Sequence, residues 1–185
     1  MTKEDGGIIE NNTFTISGTA NISEFLGVDA VMMGNTIIRG NRFYADSTAG
    51  KTYPLHLRQA GKDEMLSGRN KVYNNQIIID SVGGTYASYG IECNEPLKNV
   101  DIVYNSINIR HTNGIAHGNI HFAGNKSHLT EGVLVANNIL QNSAPKGEVY
   151  NLNNNGYLAG ITFKNNGYYT VSDTIASIEI GRAHV

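Results

Sequence analysis

One asparagine recurs six times along the chain in the same surroundings. The segments I-E-N-N-T-F around Asn12, I-R-G-N-R-F around Asn41, V-Y-N-N-Q-I around Asn75, I-V-Y-N-S-I around Asn105, V-A-N-N-I-L around Asn138 and F-K-N-N-G-Y around Asn166 align on it. Subtracting positions gives intervals of 29, 34, 30, 33 and 28. Three positions before each anchor stand Ile9, Ile38, Val72, Ile102, Val135 and Phe163; two after it stand Phe14, Phe43, Ile77, Ile107, Leu140 and Tyr168. Every flanking position is apolar or aromatic, so the repeat is a structural unit that buries one side.

Asparagine is depleted in strands, and a pair of them inside V-Y-N-N-Q-I calls for a corner between two short strands. The anchor is expected at the bend, where Asn tolerates a left-handed backbone. A second run follows most anchors: L-H-L (55–57), I-E-C (91–93) and I-H-F (120–122) alternate apolar and polar residues with the period of a strand. Each repeat therefore holds at least three strands and shows no helical periodicity. A unit of roughly thirty residues with that content matches one turn of a parallel β-helix, whose equivalent strands stack ~4.8 Å apart. The reading is an all-β solenoid of about six coils in which Asn12, Asn41, Asn75, Asn105, Asn138 and Asn166 stack as a hydrogen-bonded ladder. The 24 Asn and 21 Gly fit a chain with many tight turns.

With these repeats in hand, the sequence resembles the right-handed parallel β-helix proteins of the pectin-lyase-like superfamily. Within it, V-Y-N-S-I-N-I (103–109), V-A-N-N-I-L-Q-N (135–142) and F-K-N-N-G-Y-Y (163–169) are similar to repeats of secreted, Bacteroidetes-type bacterial proteins. The resemblance covers roughly residues 7 to 171. It implies an extracellular or cell-surface location and a polysaccharide or cell-surface glycan as partner. Three roles are compatible with it: a non-catalytic scaffold segment presenting a binding face, a polysaccharide lyase or glycoside hydrolase, and an adhesin or phage tail-spike segment. A lyase would bring in a divalent cation such as calcium. The paired-Asp motifs of the polygalacturonases and the R-x-P-x-x-R pattern of the pectate lyases are both missing, so neither catalytic signature carries over.

Other classes are disfavoured directly. A net charge of -2 gives no basic footprint for nucleic acid. No window approaches the ~18 apolar residues of a membrane span. Cys93 stands alone in the chain and reads as a small core residue on its strand. At the far end, E-I-G-R-A-H-V (179–185) breaks the pattern and resembles a sequencing adapter read in frame. The expected division is therefore a lead-in over 1–6, a β-helix over 7–178 and an artefactual tail over 179–185, in a slice of a longer secreted protein whose adjoining coils would be its neighbours.

In a solenoid, outward residues about thirty apart form columns, and this rule generates the candidate sites. Aligning L-H-L, I-E-C and I-H-F puts His56, Glu92 and His121 in one outward column that could hold a metal, act as acid and base, or contact substrate. A solvated sheet face would show the same polar residues. Five residues past the anchors lie Asp46, Asp80 and Arg110. Asp80 beside Arg110 resembles in residue type the acidic and basic pairs of the superfamily's enzymes; the plain reading is a cross-coil ion pair. His117 and His121, four apart, sit in turn-rich sequence that reads as a loop with exposed histidines leading into a strand. Tyr44, Tyr73, Tyr104 and Tyr169 flank the corners, where aromatic faces could stack on sugar rings.

Overall fold

The computed structural model of the protein describes residues 6–17, 24–31, 34–46, 50–58, 68–80, 86–94, 97–110, 117–123, 130–153 and 160–178. Its strands come in rounds of three. The first round is β1 (Ile8–Glu10), β2 (Thr13–Ser17) and β3 (Glu24–Val31), and the second β4 (Ile37–Arg39), β5 (Arg42–Asp46) and β6 (Lys51–Arg58). The third is β7 (Asn70–Tyr73), β8 (Gln76–Asp80) and β9 (Tyr89–Cys93), and the fourth β10 (Val100–Val103), β11 (Ser106–Arg110) and β12 (Gly118–Ala123). The fifth is β13 (Val133–Ala136), β14 (Ile139–Asn142) and β15 (Glu148–Asn153), and the last β16 (Ile161–Lys164), β17 (Gly167–Thr170) and β18 (Ala176–Ile178).

Equivalent strands of successive rounds pair in parallel and build three six-stranded sheets: sheet A (β1-β4-β7-β10-β13-β16), sheet B (β2-β5-β8-β11-β14-β17) and sheet C (β3-β6-β9-β12-β15-β18). The chain is thus an all-β parallel solenoid with a turn of about thirty residues, as the repeat requires. Its first and last rounds are sheet edges, so about four turns are stacked on both sides, fewer than the six read from the anchors. The tail over 179–185 and most of the lead-in over 1–6 lie outside the described residues.

The core is a set of apolar columns. Ile38, Val72, Ile102 and Val135 pair in register on the inner face of sheet A, and Phe43, Ile77, Ile107 and Leu140 do so on sheet B. All are essentially without solvent contact. Burying each contributes about 2 kcal/mol of transfer free energy. Cys93 is buried among them, and burial pushes its thiol well above the ordinary value, the nearby Glu92 charge adding to the effect.

Sheets A and B meet at a two-residue corner in every round, and there the anchor is not the left-handed residue. Positive φ falls one position earlier, on Asn11 (56°), Gly40 (63°), Asn74 (54°), Tyr104 (58°), Asn137 (55°) and Asn165 (51°). The two asparagines of V-Y-N-N-Q-I therefore do different work: Asn74 turns the chain, and Asn75 links it to the neighbouring rounds. Asn75 donates from its backbone N and its Nδ2 to Oδ1 of Asn105, at 3.1 and 3.0 Å. Its Nδ2 also donates back to the Ile38 carbonyl at 2.9 Å, and its Oδ1 accepts from N and Nδ2 of Asn41, both at 3.1 Å. The paired amide contact repeats from Asn12 to Asn41, Asn105 to Asn138 and Asn138 to Asn166.

An interior rung combines acceptor and donor roles at a buried site. Asn75→Ala is expected to destabilise the fold by about 3 kcal/mol, whereas the exposed terminal rung Asn12→Ala should cost under about 1 kcal/mol. Urea unfolding followed by circular dichroism compares them. Tyr104 holds the turning position that the other corners fill with Asn or Gly, and its side chain is 60% exposed. Replacing it by Asn should raise stability by about 0.5–1 kcal/mol, read as a higher unfolding midpoint.

Candidate ligand-binding face

Sheet C carries the most elaborate polar arrangement on its outer side. Leu55 and Leu57 turn into the core, so His56 between them turns out; Ile91 and Cys93 do the same for Glu92, and Ile120 and Phe122 for His121. The pairing register is His56↔Glu92 and Glu92↔His121, extended by Asp29↔His56 at one end and His121↔Asn151 at the other. The column expected from sequence exists.

It is not a solvated face, however. His56 is 9%, Glu92 6% and His121 7% exposed. Two tyrosine rings account for part of this cover. Tyr53 and Tyr89 stack with centroids 5.9 Å apart, Tyr89 stacks on the His121 ring at 4.2 Å, and Tyr53 lies tilted 6.2 Å from His56. Gly118, in register with Tyr89, makes the lean possible: a Cβ there would stand 3.0 Å from Tyr89 Cδ1. With no side chain at that place, the Tyr89 ring reaches the next round.

The column holds two charge-assisted contacts, His121 with Glu92 and His56 with Asp29. His121 Nδ1 lies 2.5 Å from Glu92 Oε2, and with Glu92 ionised the ring carries its proton on Nδ1 and donates it. That leaves Nε2 of His121 buried and without a hydrogen-bond partner among the described residues. His56 Nδ1 lies 3.1 Å from Asp29 Oδ1, and Arg58 grips the same carboxylate through Nε at 2.8 Å and Nη2 at 2.6 Å. These Arg58 hydrogen bonds hold the Asp29 carboxyl below its ordinary value. Burial, and then the Glu92 charge, push the Tyr53 and Tyr89 hydroxyls up, Tyr89 to about 12, so both stay neutral donors at any physiological pH.

The second column is also in register, with Asp46↔Asp80 and Asp80↔Arg110 paired on sheet B. Arg110 Nη1 stands 3.8 Å from Asp80 Oδ2, and both side chains are substantially solvated, an arrangement worth at most about 1 kcal/mol. Asp80 and Arg110 therefore share a face with each other and not with Glu92. The tyrosines singled out from sequence are dispersed. Tyr44 is on the outside of sheet B, Tyr104 is at the A–B corner, and Tyr73 on sheet A accepts a hydrogen bond from Arg39 Nη1 at 2.9 Å.

The aromatic row is instead Tyr53 with Tyr89, which the corner-based search passed over along with Asp29. The signal was there: Tyr53, Tyr89 and Gly118 each precede a member of the column by three residues. His117 is corrected too. It is buried, not an exposed loop residue, and its Nδ1 accepts the Ser88 N–H at 2.9 Å; residues 111–116 lie outside the described residues. Among the described residues no group of three or more His, Cys, Asp or Glu is placed to hold a metal ion.

No protein-family model, curated protein or solved structure matches the chain. Kinship with the pectin-lyase-like superfamily and a bacterial source thus gain no support from relatives, and the likeness stands at the level of the parallel β-solenoid.

The lowered Asp29 value gives a pH dependence. Below the ordinary value of 3.8 the unfolded chain takes up a proton there while the folded chain still holds the carboxylate, so this stabilisation is lost as pH falls through the folded value. Asp29→Asn should flatten the decline of the unfolding midpoint below about pH 4 relative to the unaltered chain, a difference read by thermal melts across an acid series.

Proposed function

We propose that the chain is a rigid, non-catalytic scaffold segment of a secreted or cell-surface protein, of the bacterial type its repeats resemble, and that it binds a polysaccharide or cell-surface glycan along the outer face of sheet C. The observation that carries this reading is the stacked Tyr53–Tyr89–His121 series running beside the Asp29–His56–Glu92–His121 column. Aromatic rings offer the C–H side of sugar rings an apolar contact, and the partly exposed Asp29 and Arg58 beside them match sugar hydroxyls. Parallel stacking sets Tyr53 and Tyr89 on adjacent rounds ~4.8 Å apart along the axis, which suits an extended chain laid across them.

A second reading is favoured by one specific feature, the free Nε2 of His121 behind a Glu92-oriented ring. A carboxylate that fixes the tautomer of an imidazole and leaves its far nitrogen unpartnered is the arrangement of a general base, and this buried nitrogen would be reached by a substrate that displaces the Tyr89 ring. On this reading the face would belong to a polysaccharide lyase or glycoside hydrolase, with Glu92 as the positioning residue and His121 as the proton acceptor.

Glycan arrays followed by calorimetry separate these possibilities. Tyr89→Ala should weaken the binding of a captured polysaccharide by roughly tenfold or more, equivalent to about 1.4 kcal/mol, while Asp80→Ala on sheet B leaves it unchanged. A folded chain that binds no polysaccharide would remove the proposal. If the preparation depolymerises a glycan, Glu92→Gln should lower the rate by about 10²-fold or more, and an unaltered rate would rule out the acid–base role of the pair.

A further inference from the structure

We infer that Asn166 is a site of spontaneous covalent modification held in check by the ladder it belongs to. When its corner opens, the side-chain amide converts to a carboxylate, and the corner cannot close again as before.

The sequence sets this anchor apart. Asn12, Asn41, Asn75, Asn105 and Asn138 are followed by Thr, Arg, Gln, Ser and Ile, and Asn166 by glycine. The chemistry turns on that neighbour. The backbone nitrogen after the asparagine gives up its proton to solvent and bonds to Cγ; the Cγ–Nδ2 bond then breaks as Nδ2 takes a proton and leaves as ammonia. Water opens the resulting cyclic imide at either carbonyl. The product is aspartate, or its isomer in which the main chain runs through Cβ and Cγ. A side chain on the following residue crowds the attacking nitrogen and limits the backbone rotation that the ring needs, and glycine does neither.

The fold makes no demand for glycine at this position. Gly167 opens β17 outside the left-handed region, and a Cβ built on it would meet only the Asn138 carbonyl oxygen, at 3.9 Å. In register with it stand Thr13, Arg42, Gln76, Ser106 and Ile139, all with side chains.

While the corner is closed, both reacting groups are occupied. The Gly167 N–H donates to the Asn138 carbonyl at 2.8 Å. Asn166 Oδ1 accepts from the backbone N and Nδ2 of Asn138 at 3.0 and 2.9 Å, and its Nδ2 donates to the Val135 carbonyl at 2.9 Å. Bringing Cγ onto the Gly167 nitrogen breaks these side-chain contacts and frees the nitrogen from its own acceptor. All of them reach back to the preceding round, so they hold whatever follows in the chain. Conversion undoes the same contacts for good. In aspartate an oxygen replaces Nδ2 and faces the Val135 carbonyl as a second acceptor. The isomer lengthens the main chain within a two-residue corner and shifts β17 against β14.

Peptide mass mapping in heavy-oxygen water tests this on the unaltered chain, folded and in concentrated urea at the same mildly alkaline pH. In urea Asn166 should convert as fast as Asn113 and Asn155, the other asparagines followed by glycine. In the folded chain its conversion should be slower by about tenfold or more, and should quicken in sub-denaturing urea as the corner opens more often. Gly167→Thr, which restores the residue of the first round, should keep the β-sheet spectrum and suppress conversion at Asn166 in urea while Asn113 and Asn155 still react. Chains converted at Asn166, and Asn166→Asp, should both unfold at a lower urea midpoint than the unaltered chain. Equal rates at Asn166 with and without urea, no conversion in either, or a converted chain with an unchanged midpoint would overturn the inference.

Discussion

Everything in this molecule depends on keeping successive rounds in register, and the side-chain amides at the A–B corner enforce it. A parallel strand pair slipped by two residues would still bury the same face, since side chains alternate with a period of two. The ladder removes that freedom. An asparagine displaced from its column would leave a buried amide without partners, at about 1–3 kcal/mol for each polar group stranded. Because the corner is two residues long in every round, pinning it fixes both flanking strands at once. Differences in repeat length, with anchors spaced by as little as 28 and as much as 34, are then absorbed in the other two connections.

Register at the corner also creates the polar arrangement on sheet C. Asp29, His56, Glu92 and His121 stand one to a round, each a full repeat from the next in sequence, and meet only because the intervening rounds are held in line. Part of the cover over His121 comes from a further coincidence of register, the absence of a side chain at Gly118 opposite Tyr89. A glycine on this sheet thus acts at a distance of one round, by admitting an aromatic ring to a neighbour's imidazole.

Most of the fold was legible because it is periodic. The six anchors, the apolar residues at their flanks and the columns His56–Glu92–His121 and Asp46–Asp80–Arg110 all follow from counting along the chain, and each pairs as counted. What counting could not supply was the local geometry. The left-handed residue is the one before the anchor, because a residue whose amide must point along the axis to its equivalent cannot also serve as the turn. Alternation assigned His56, Glu92 and His121 to the outside, yet gave no sign of cover by Tyr53 and Tyr89, which depends on how far a ring leans. The dispersal of Tyr44, Tyr73 and Tyr104 over different faces has the same origin: proximity to a corner in sequence does not say which side of it a ring takes.

The ladder has a direction. At every step the amide donates towards the C-terminal neighbour and accepts from the N-terminal one, from Asn12 through to Asn166. Six side-chain dipoles consequently align, as peptide dipoles do in a helix, although here they belong to residues a full repeat apart. Aligned amides polarise one another, so a central rung is held more firmly than an isolated pair of the same geometry. Loosening should accordingly start at the two extremities and travel inward, giving amide hydrogens at the middle corners the slowest exchange with solvent.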